Sequence, residues 1–148
     1  MKRLIVIAVL VGAAVIAPTS LAATVNGGGR GTVDGATPFS QFGFGVTKAD
    51  GRVTGSFNCL MAGASQFSPF TLMAVRGQVT NAAIGTAGAS FDGVGMLQTG
   101  PDGKSPATFH VDVTAGGPGV GTLHLVLLTP FVFVLPVEHV LNGRITVH

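Results

Sequence analysis

The groups able to do chemistry in this 148-residue chain are few: four histidines, one cysteine and six acids, among scattered hydroxyls. The histidines are His110, His124, His139 and His148. If the segments around Val111 and Leu125 turn back on each other about Gly117, His110 faces His124 and Asp112 faces Thr122. His110, Asp112 and His124 then share one polar side. Two imidazoles and a carboxylate suit a hydrogen-bonding ligand, and zinc also accepts nitrogen and oxygen ligands. No HxH or HExxH spacing accompanies them, so the three are ligand-binding candidates on a solvated strand face, with no metal and no cofactor assigned.

Other chemistries find less support. Gly63-Ala64-Ser65-Gln66-Phe67 and Gly88-Ala89-Ser90-Phe91-Asp92 both lack the second glycine of a nucleophile elbow. The acids single out no pair for glycoside hydrolysis. Asn26-Gly27-Gly28-Gly29-Arg30-Gly31 has the glycines of a phosphate-cradling loop, but strand-like residues follow where a helix would be needed. Cys59 alternates with Phe57 and Met61 and reads as a small buried apolar residue, since a nucleophilic thiolate needs a base and an electropositive setting. No catalytic residue is assigned.

The elements that must position these groups are strands. Hydrophobic residues make up 47% of the chain, which excludes a disordered one. Phe42, Phe44 and Val46 alternate with Gln41, Gly43 and Gly45. Val53, Gly55, Phe57, Cys59 and Met61 alternate with Thr54, Ser56 and Asn58. Met73, Val75 and Val79 oppose Arg76, Gln78 and Thr80, and Phe109, Val111 and Val113 oppose Thr108, His110, Asp112 and Thr114. A period of two with one apolar side is the mark of antiparallel sheet over a core. Lys48-Ala49-Asp50-Gly51, Gly100-Pro101-Asp102-Gly103 and Ala115-Gly116-Gly117-Pro118-Gly119 supply the turns. Eight to ten short strands follow, in an all-β antiparallel sandwich or small barrel.

Residues 1–22 read as a secretory signal peptide. Lys2 and Arg3 precede the apolar run Leu4–Ile16, Pro18 breaks it, and Ser20-Leu21-Ala22 places small residues before a cut ahead of Ala23. Thirteen residues rise only about 20 Å as a helix, short of a hydrocarbon core of about 30 Å. Residues 23–148 then form a single secreted domain, extracellular or periplasmic, with no membrane span. Its six basic and six acidic side chains cancel and no basic run is present, which excludes a nucleic-acid partner on electrostatic grounds. The apolar stretch Leu123–Val137 carries Pro130 and Pro136 and is read as two strands buried on both sides. The alternatives are a membrane span, for which it is short, and an exposed hairpin used for self-association.

Short motifs recur in order along the chain: VNGGGR at Val25–Arg30, FGFGV at Phe42–Val46, DGRVTGSF at Asp50–Phe57, ATFHVDV at Ala107–Val113 and LNGRITV at Leu141–Val147. This series resembles the small secreted bacterial modules called post-COAP domains. Gly45 stands where their FGFN-like strand has Asn, and Cys59-Leu60-Met61-Ala62-Gly63 stands where a polar, His-containing stretch commonly follows. The resemblance implies export and a β module, and carries no mechanism with it. The function expected is a non-catalytic exported module with a binding or structural role. The alternative is a small barrel holding an apolar molecule in a Phe-lined interior, with an isomerase or cyclase type of activity. An outer-membrane barrel is the weakest reading, because the aromatic girdles would lack Trp and Tyr.

Overall fold

The computed structural model describes residues 21–62 and 72–148. The expected leader lies outside the described residues up to position 20, as does the Ser65 motif. Among the described residues nine strands follow one another: β1 Ala23–Thr32, β2 Ser40–Ala49, β3 Arg52–Ala62, β4 Leu72–Ile84, β5 Gly88–Thr99, β6 Gly103–Thr114, β7 Thr122–Thr129, β8 Phe133–Val134 and β9 Glu138–Val147. All pair antiparallel, and each of β1 to β7 pairs with the next. β9 then pairs with β1 on one side and β7 on the other, so the sheet closes in a ring. Closure leaves β8 as a two-residue flap on the end of β7. Among the described residues no helix is long and apolar enough to cross a membrane.

Alternation in the sequence explains the ring directly. Each strand sends its apolar set inward, where Phe42, Phe44, Phe57, Phe91 and Phe109 join Met61, Met73, Leu97, Leu125 and Leu127 in one buried cluster. The outward positions are polar on most strands, with Asn26, Arg30, Gln41, Thr54, Ser56, Asn58, Arg76 and Gln78 exposed. This is the reverse of the outward apolar band of an outer-membrane barrel. The β2–β3 turn has positive φ at both central residues, 51° at Asp50 and 74° at Gly51, which matches the twist of a tight hairpin and favours glycine at the second.

Ring size sets the use of glycine. Phenyl rings crowd a narrow interior, with Phe57 centred 5.3 Å from Phe109 and 5.9 Å from Phe91, and Phe44 5.5 Å from Phe91. Neighbouring inward positions have no room for a side chain. A Cβ at Gly27 would meet the Phe44 ring, and one at Gly77 or Gly93 would meet the Phe109 ring.

Leu123–Val137 departs from expectation. Leu123, Leu125, Leu127 and Leu135 are buried, but Leu128, Phe131, Val132, Val134 and Val137 are exposed, Val132 at 73%. A closed ring has one interior, so only the inward half of each strand is covered. Burial on both sides would require a second layer over this part of the sheet.

Candidate functional site

The three candidates lie on the outer face of β6 and β7, and the assumed hairpin register is corrected. Asp112, not His110, stands opposite His124; His110 faces Val126, and Thr114 faces Thr122. The loop spans residues 115–121 and places the turn one residue later than Gly117, which shifts the pairing by two. A shift of two keeps every side chain on its own face. All three therefore remain on the polar side, with Ser90 and Asp92 of β5 beside them.

His110 is held between two carboxylates. Its Nδ1 lies 2.7 Å from Asp92 Oδ1 and its Nε2 3.2 Å from Asp112 Oδ2. The Ser90 hydroxyl donates to the other oxygen of Asp112. Only the imidazolium can donate from both nitrogens, so this setting favours the charged ring. The hydrogen bond to Asp92 raises its pKa most, and the charges of Asp112 and Asp92 add to this against partial burial. A ring committed at both nitrogens is neither a metal ligand nor a base. Ser90 bonds to a carboxylate rather than to an imidazole, so the order needed for an activated serine is missing. Among the described residues no three His, Cys, Asp or Glu side chains are grouped to hold a metal ion.

A raised histidine stabilises the fold at pH values below its ordinary one, and that contribution is lost as pH rises through the raised one. Because the side chain is a third exposed, the contribution is at most about 1 kcal/mol. Asp92→Asn is expected to lower the midpoint of the His110 imidazole titration, followed by NMR, more than Asp112→Asn does. Equal effects would mean that charge alone, and not the short Nδ1 bond, sets the shift.

Beside this cluster runs an open groove of about 550 Å³, lined by Ser90, Asp112, Thr114, Thr122 and His124 with Ala83, Ala89 and Val137 among its apolar walls. The Thr114 and Thr122 hydroxyls bond to each other at 2.6 Å. Asp112 and His124 thus line a concavity that mixes hydroxyl, carboxylate and imidazole groups with aliphatic surface, while His110 acts from behind Asp112.

Sequence reasoning missed a second polar cluster inside the ring. Glu138, at the start of β9, is 1% exposed, and its Oε2 is bonded to the buried Ser40 hydroxyl. Gly31 makes the room: a Cβ there would sit on the Glu138 carboxyl. Burial pushes the Glu138 pKa up to about 7, with the Ser40 bond pulling the other way. Buried Cys59 interacts with Ser40 and feels the Glu138 charge; burial first and that charge second hold its thiol well above the ordinary range. It is therefore an inert thiol. The available signal was parity, since Glu138 and Val140 occupy alternate positions of one strand and only an inward side chain joins Val140 in the core.

No family model matches the chain, and no curated protein or solved structure matches it.

Proposed function

We propose that the chain is an exported, non-catalytic β module that acts through its outer surface, in a binding or structural role at the cell surface or in the extracellular space. The observation that carries this reading is the packed aromatic cluster in the interior. Phe57 touches the rings of Phe44, Phe91 and Phe109, with centroids 5.3–6.4 Å apart, and ring stacking of this kind leaves the middle of the barrel to side chains rather than to a ligand. The groove along Asp112 and His124 is the binding face in this reading. The leader-like residues 1–22 and the post-COAP-type motifs support export. The exposed valines and Phe131 of Leu123–Val137 form the surface through which copies associate, because contiguous exposed apolar side chains mark contacts.

A second reading, the small barrel holding an apolar molecule, draws on Glu138 and Ser40, a polar pair within a Phe-lined interior. One experiment separates the two. Methyl-labelled protein is titrated with a medium-chain fatty acid at mildly acid pH. The module reading expects the Val111, Leu125 and Leu127 methyl signals to stay in place. Saturable shifts in those signals would replace it with the ligand-holding barrel. A dilution series of the same sample reports on association: Val132 and Val134 signals that move with protein concentration support it, and constant ones reject it.

A further inference from the structure

We propose that the junction of β7 and β9 is a proton-operated seam, closed while Glu138 is uncharged and opened when it ionises. The seam is the thinnest in the ring. β7 and β9 pair only at Thr122–His139 and Leu123–Glu138, whereas β5 and β6 pair along twelve residues. Beyond those two pairs β9 is held by the loop before β7, through Val140 N–H to Gly121 O at 2.8 Å and Gly119 N–H to Val140 O at 2.8 Å near its start, and further along through a two-way Gly116–Ile145 bridge at 2.9 Å. Glu138 is therefore both a seam residue and a buried carboxyl. Each strand packed against it offers little to a negative charge: β1 presents Gly31, β2 the Ser40 hydroxyl, β3 the neutral Cys59 thiol and β7 the Leu123 pair. Arg30 of β1, His139 of β9 and His124 of β7 are near in sequence or register but lie on outward positions.

An uncharged carboxyl can accept the Ser40 hydroxyl bond and sit in this site, whereas a carboxylate with that one hydroxyl partner in an apolar interior is strongly disfavoured. The cheapest relief is local. Releasing the two β7–β9 pairs together with the neighbouring Val140–Gly121 bond and the Thr32–His139 pair to β1 lets the start of β9 turn Glu138 to water and leaves the long β2–β6 ladders intact. The burial that raises the Glu138 pKa to about 7 places the change near neutrality.

Native-state hydrogen exchange, corrected for the intrinsic pH dependence, tests this on the intact chain. Between about pH 5.5 and 8.5 the Val140 amide, and the Leu135 amide that ties the approach to β9 onto Leu125 O of β7 at 3.1 Å, should lose at least about tenfold in protection, with amides of the β4–β5 ladder changing less than about twofold. Glu138→Gln should keep the seam amides protected across that range. Should that variant fail to fold, Ser40→Ala answers the question, because removing the hydroxyl that favours the carboxylate moves the transition to higher pH. Protection at Val140 that is flat with pH in the native chain, a loss shared equally by the β4–β5 ladder, or a loss unchanged in Glu138→Gln would each overturn the seam.

Discussion

Phe57→Ala is expected to lower the unfolding free energy by about 3–5 kcal/mol, roughly a fifth or more of what a domain of this size commonly has. Phe57 is 1% exposed and stands at the centre of the aromatic cluster, 5.9 Å from Phe91, 5.3 Å from Phe109 and 6.4 Å from Phe44. Its removal strips contacts from three rings at once. The surrounding strands are tied into a closed sheet, so they cannot collapse far into the space left behind. Urea unfolding at mildly acid pH measures the loss. Val132→Ala, at a site 73% exposed, serves as the control and should change stability by less than about 0.5 kcal/mol. A Phe57 loss below about 1 kcal/mol would show an interior that tolerates empty space, and would move the functional reading toward the ligand-holding barrel.

The two titrating clusters act in the same direction. Glu138 and His110 both have raised pKa values in the fold. For each, the stabilising protonated form is fully present below the group's ordinary value and is lost as pH rises through the raised one. The module is therefore most stable in mild acid, and Glu138 accounts for the larger part because it is buried whereas His110 is partly exposed. In the proposed exported role the chain would meet external pH directly, so a fold whose stability falls toward neutrality would couple its state to its surroundings.

Inward and outward faces were readable from residue order, because period-two alternation is a local property. Phe42, Phe57, Val75 and Val111 each point inward as their neighbours imply. Ring closure was not readable in the same way. It depends on β9 reaching both β1 and β7, a pairing between residues more than a hundred positions apart in the first case. The register of the β6–β7 hairpin escaped for a smaller reason: a loop with four glycines allows turns centred one residue apart, and only the three-dimensional path of residues 115–121 chooses between them. Glu138 was hidden by composition. One acid beside Val137 and His139 looks like solvated edge until Gly31 and Ser40, remote in sequence, are known to face it. His110, Asp112 and His124 could be grouped from sequence because they sit on adjacent strands at matching parity, which survives a register error of two; Asp92 and Ser90 of β5, which bond to His110 and Asp112, were not part of that grouping.

Gly93→Ala, a change of a single methyl group, should cost about 3 kcal/mol. Gly93 is buried on β5, and a Cβ there would run into the Phe109 ring and lie 2.8 Å from the Gln78 carbonyl oxygen across the β4–β5 pair. The ring yields by pushing on neighbours that include Phe57, and the carbonyl by distorting the ladder. Phe109→Leu relieves the first clash but not the second. The double variant is therefore expected to be more stable than the sum of the two single losses allows, by about 1 kcal/mol or more, while still falling short of full recovery. Urea midpoints for the four proteins of this cycle provide the measurement. Gly85→Ala gives the comparison: its nearest neighbour would be the Gly88 carbonyl at 3.6 Å, and it should shift stability by no more than about 0.5 kcal/mol. Strict additivity of the Gly93 and Phe109 changes would mean that the backbone, not the phenyl ring, excludes a side chain at this position. The abundance of inward glycine would then reflect strand spacing rather than room made for phenylalanine.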